Sequence, residues 1–95
     1  MSGERLLFRV HALVRMAQRG ISEQEVRRAL DDGEVIEEYP NDYPFPSRLV
    51  LGRCGDRPIH IVVAENHEEY TLIVITVYVP EPAKWQAGFR KRRQT

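Results

Sequence analysis

Apolar residues recur at helical spacing through the first twenty positions of this chain of 95 residues. The pattern predicts a helix over residues 5–20. Within it, Met16, Leu13, Ala17, Val10, Ile21 and Val14 fall in one arc of a 3.6-residue wheel and read as a core stripe. His11, Arg15 and Arg19 stand at i, i+4 and i+8 in the opposite arc, so they form a row along the helix. Gly20 closes this helix, and Ser22 opens a second one that ends at Gly33. Ser22 and Glu25 have capping-box spacing, with Ile21 placed to staple onto Val26. Val26, Ala29 and Leu30 supply the short buried stripe of the second helix.

Beyond Gly33 the period changes to two. Residues 34–39 read as a strand, and Pro40, Pro44 and Pro46 then mark an extended loop. Residues 47–53, 59–64 and 71–79 read as three more strands, joined by turns at 54–57 and 66–69. Ile73, Ile75, Val77 and Val79 alternate strictly in the last. Such short connections predict an antiparallel meander. Pro80 and Pro82 stop it, and Trp85 and Phe89 at i, i+4 predict a short final helix over 83–93, weakened by Gly88. The expected fold is α+β: two N-terminal helices, a four-stranded antiparallel sheet and a short C-terminal helix. Residues 1–95 form one domain.

Strand alternation brings candidate chemistry together. A tight hairpin centred near residues 67–68 pairs even positions with even. His60 then shares a sheet face with Thr76 and Tyr78. If that face meets the polar edge of the first helix, His11, Arg15 and Arg19 join them. An imidazole near neutral pKa can take or give a proton, and guanidinium groups can clamp a phosphate. That set suits RNA cleavage by attack of the ribose 2′-hydroxyl, with a base, an acid and cations around the phosphorane.

Composition narrows the classes. Formal charge balances at zero, with fourteen cations and fourteen acids. Acids crowd residues 23–42, while Lys84, Arg90, Lys91, Arg92 and Arg93 make the end basic. Nucleic acid would therefore be bound locally and not by bulk charge. The single cysteine, Cys54, cannot form an internal disulfide, which fits a reducing cytoplasm. Arg5 and Arg9 interrupt the first apolar stretch and make it a poor signal peptide. No apolar run approaches the roughly 20 residues of a membrane span. His11, His60, His67 and Cys54 lack finger spacing, so no metal and no cofactor is expected.

The motifs HALVRMAQRGIS (11–22), GEVI (33–36), Tyr39-Pro40, Leu51-Gly52, Pro58-Ile59-His60, ITVYVP (75–80) and Trp85 resemble a family of small bacterial proteins known as a domain of unknown function. That family is similar in fold to the RelE-like RNase toxins of toxin–antitoxin pairs. The resemblance implies a cytoplasmic, metal-independent endoribonuclease that cleaves RNA, with ribosome-associated mRNA as a candidate substrate, and is held by a small antitoxin of zinc-finger or helix-turn-helix type. It points to His11, Arg15, Arg19, His60, Thr76 and Tyr78. His60 or His11 would be the base, and the other histidine or Tyr78 the acid. Arg15 and Arg19 would hold the scissile phosphate, and Thr76 would orient His60. Arg90, Arg92 and Arg93 would bind RNA backbone or an acidic antitoxin segment. The alternative is a non-catalytic module that binds protein or nucleic acid and whose histidines are structural; a third reading is a catalytically dead relative kept for interaction.

Overall fold

The computed structural model describes residues 4–94. Strand β1 (Arg5–Phe8) leads into helix α1 (Val10–Arg19) and helix α2 (Glu23–Asp32). Strands β2 (Glu34–Tyr39), β3 (Ser47–Cys54), β4 (Arg57–Asn66) and β5 (Thr71–Tyr78) follow. They form one sheet in the order β1-β5-β4-β3-β2.

This corrects the expected fold. The sheet has five strands and is mixed, because β1 pairs parallel to β5 from Arg5↔Thr71 to Phe8↔Val74. The first residues assigned to the helix are therefore extended. Their local period does not decide the matter; the free edge of β5 does. Pairing satisfies backbone groups that an edge strand leaves open. It also turns Leu6 and Phe8 against the core. No C-terminal helix forms either. Gly88 and Phe89 both take positive φ, which a helix cannot contain. The segment doubles back instead, with Gln86 N–H donating to the Lys91 carbonyl at 2.8 Å and Arg93 N–H to the Lys84 carbonyl at 2.9 Å.

The β2–β5 meander is antiparallel throughout. The helix boundary at 20–22 follows local chemistry. Gly20 takes a left-handed φ of 67°, Ser22 Oγ accepts from Glu25 N–H at 3.1 Å, and Glu25 Oε1 accepts from Ser22 N–H at 2.8 Å. Gly33 ends α2 in an extended conformation. Its need for glycine is space, since a Cβ there would lie 2.5 Å from the Ala29 carbonyl oxygen.

Both helices cover one face of the sheet, with α1 against β5 and α2 against β3. Ala12, Met16, Ile21, Val26 and Ala29 pack on Val50, Ile59, Ile61, Val63, Val74 and Val77. Of the stripe read from the wheel, only Met16 and Ile21 are buried. Ala12 and Met16 point inward, while Val10, Leu13 and Val14 are exposed, Val10 by 76%. Among the described residues, no helix is long and apolar enough to cross a membrane.

Candidate functional site

Two bulges arrange the opposite sheet face. Near the β4–β5 turn the register pairs Asn66↔Thr71 and Val63↔Val74, then shifts to Val62↔Thr76 and His60↔Tyr78. Ile75 is the extra residue. Without it His60 would stand opposite Val77, an inward-facing core residue. A second bulge leaves Ile36 unpaired between Val35↔Val50 and Glu37↔Leu49. Residues directly opposite each other share a face. One row thus runs Glu34–Leu51–His60–Tyr78 across four strands, and the next runs Glu37–Leu49–Val62–Thr76.

Residues 80–93 fold over this face as a strap. His60 is 0% exposed beneath it. Its Nε2 lies 2.9 Å from the Phe89 carbonyl oxygen, and its Nδ1 lies 3.2 Å from the Tyr78 hydroxyl. A carbonyl can only accept, so Nε2 carries the proton, and the Tyr78 hydroxyl donates to Nδ1. The Trp85 indole stands edge-on to the imidazole, and the Arg92 guanidinium lies 4.6 Å over the indole ring. Arg92 also forms a two-point bond to Glu37, Nε to Oε2 at 2.9 Å and Nη2 to Oε1 at 3.1 Å. The Tyr39 hydroxyl donates to the same carboxylate. Arg90 Nε reaches Glu34 Oε1 at 2.8 Å.

The electrostatics follow from burial and these pairs. Desolvation holds the His60 pKa below its ordinary value, against the pull of the Phe89 hydrogen bond and of Glu37. His60 is therefore neutral at pH 7. Burial raises the Tyr78 phenol. The Arg92 hydrogen bonds lower the Glu37 carboxyl. Among the described residues, no three His, Cys, Asp or Glu side chains gather where they could hold a metal ion.

The predicted site residues divide into two groups. His60 and Tyr78 touch, and Thr76 sits in the neighbouring row of the same face. Both ring nitrogens of His60 are bonded to Tyr78 and Phe89, so Thr76 does not orient the ring. Arg90 and Arg92 join this face through Glu34 and Glu37. Arg93 is turned back onto the Pro82 carbonyl at 2.7 Å. His11, Arg15 and Arg19 are elsewhere. They are exposed on α1, whose buried residues pack against Ile59, Ile61 and Val63, the β4 positions that alternate with His60. The helix row and the His60 face lie on opposite sides of the sheet. Glu34, Glu37, Tyr39 and Trp85 escaped the sequence reading as site residues. Glu34, Tyr39 and Trp85 carried a signal only as motif positions, and Glu34 and Glu37 also through the acid-to-arginine imbalance between residues 34–38 and 90–93.

A comparison with protein families matches residues 8–79 to the Domain of unknown function (DUF4258). The chain belongs to the DUF4258 family. No curated protein and no solved structure matches it. The matched region of the DUF4258 domain contains Glu34, Glu37, His60 and Tyr78 and stops before the strap that covers them.

Proposed function

We propose that this DUF4258 chain is a metal-independent endoribonuclease of the toxin type whose site is the His60–Tyr78 face, held closed by residues 80–93. The observation that carries the reading is the 3.2 Å imidazole–phenol contact on the helix-free face, with two arginines tethered beside it. The tethers are ion pairs whose arginines are more than half exposed, and such pairs are worth little in water and exchange readily.

Withdrawal of the strap takes the Phe89 carbonyl from Nε2. The ring then adopts its other tautomer, with Nδ1–H donating to the Tyr78 oxygen and the Nε2 lone pair facing outward. This nitrogen removes the proton of a ribose 2′-hydroxyl. The 2′-oxygen attacks phosphorus, the bond from phosphorus to the 5′-oxygen breaks, and the Tyr78 hydroxyl protonates that oxygen. The products are a 2′,3′-cyclic phosphate and a 5′-hydroxyl end. Arg90 and Arg92 exchange Glu34 and Glu37 for the phosphate. A small antitoxin would act on the same face or on the strap.

The test is incubation of the purified protein with RNA in EDTA, with and without ribosomes. Cleavage to cyclic-phosphate ends that His60→Gln abolishes, in a protein still folded, supports the reading. A wild type that cleaves under neither condition and does not slow growth when expressed overturns it. One observation favours a second reading, a non-catalytic binding module. His60 is fully buried with both nitrogens bonded, as a structural histidine would be.

A further inference from the structure

Strand β3 runs on past β2. Pairing with β2 reaches only Glu34↔Leu51, so Gly52 to Cys54 pair with β4 alone. The notch this leaves is a groove of about 530 Å³, walled by Arg28 and Asp32 of α2, Glu34 of β2, Gly52 and Arg53 of β3, and Arg90 of the strap. Three guanidinium groups face two carboxylates there. Arg28 makes no hydrogen bond or ion pair among the described residues. Arg53 has only a long contact, 3.4 Å, to the Asp56 carbonyl. Arg90 is held by Glu34 alone. Arg28 and Arg53 stand on a helix and a strand, so their donors are presented from fixed backbone.

We propose that this groove binds the phosphodiester backbone of single-stranded RNA. The choice of RNA rests on the ribonuclease reading above. The groove is open while the strap is closed, and it adjoins the His60 face at two points. Leu51 in its wall is the cross-strand neighbour of His60. Arg90 follows Phe89, whose carbonyl holds Nε2. A phosphate in the groove competes with Glu34 for Arg90 and so loosens one of the two ionic tethers of the strap.

The experiment measures binding of a fluorescein-labelled oligouridylate to the full chain by anisotropy over a range of NaCl concentrations. Arg28→Gln with Arg53→Gln should weaken binding roughly tenfold and flatten the salt slope by about 1.4, since each single-strand phosphate contact contributes about 0.7. Both side chains are exposed, so the fold is retained, and circular dichroism checks that. Arg5→Gln with Arg27→Gln removes the same charge outside the groove and should leave binding unchanged. An unchanged affinity in the groove variant, or an equal loss in the control pair, overturns the proposal. Displacement of the probe by inorganic phosphate at equal concentration also overturns it, in favour of a small-anion pocket. The two readings separate cleanly. Groove-dependent binding without cleavage removes the ribonuclease and keeps the groove, whereas cleavage with a KM unaffected by the groove variant removes the groove and keeps the ribonuclease.

Discussion

The His60 imidazole stands edge-on to the Trp85 indole, with 4.4 Å between ring centroids and 84° between their planes. Trp85 is the single tryptophan of the chain and is buried. Its fluorescence therefore reports on the strap and on His60 at once.

Acid should open the strap. The folded-state pKa of His60 lies below its ordinary value of 6.5, so between those two values the unfolded or opened form binds more protons. The stabilisation His60 contributes is complete above 6.5 and is lost as pH falls through the depressed folded value. Glu37, also lowered, adds a loss at still lower pH. Trp85 emission should shift to the red with a midpoint below pH 6.5, and His60→Phe should remove the upper part of that transition. A wild-type emission that is flat down to pH 5 would show that His60 does not titrate with the strap.

Neutralising the tethers should loosen the strap with little effect on the fold. Each pair, with its arginine more than half exposed, is worth about 0.2–1 kcal/mol. Glu34→Gln and Glu37→Gln should each raise the acrylamide quenching of Trp85 and raise RNA cleavage roughly two- to fivefold, with a small change in Tm. Quenching at the wild-type level in the double variant would mean that apolar packing alone holds the segment.

Tyr78→Phe separates structure from chemistry. The change removes the donor to His60 Nδ1 and should cost about 0.5–1.5 kcal/mol in urea unfolding. As the acid of the proposed reaction, Tyr78 should also account for about a hundredfold or more in cleavage rate. A variant with the stability loss but full cleavage would leave the phenol a packing and hydrogen-bonding role only.

Gly52 of β3 lies directly under Ala29 of α2. A Cβ there would lie 2.7 Å from the Ala29 Cβ and 2.9 Å from its carbonyl oxygen. Gly52→Ala should destabilise the fold by about 1–3 kcal/mol in denaturant unfolding, because both atoms belong to a packed interface that must spread. A stability equal to wild type would show that α2 lifts freely from the sheet.

Local sequence determined much of this protein. The Gly20–Ser22–Glu25 junction follows from side chains within a few residues of each other, and the four strands of the meander follow from period-two runs between turn residues. That His60 and Tyr78 lie on one face was legible from alternation, though by a route the turn alone does not provide. The turn pairs even with odd positions, and the bulge at Ile75 restores the match. Tertiary structure decided the rest. Arg5–Phe8 became a strand because β5, more than sixty residues away, offers it an open edge. Helix α1 turned Ala12 and Met16 inward, since small and flexible side chains let it lie close over β5, and Val10, Leu13 and Val14 of its apolar arc were left to solvent. Glu34 and Glu37 met Arg90 and Arg92 only because one bulge puts both acids on the His60 face and a left-handed turn at Gly88 and Phe89 folds the end of the chain across it. Periodicity specifies which side chains share a face within one element. What covers that face depends on contacts between distant parts of the chain, which no local pattern encodes.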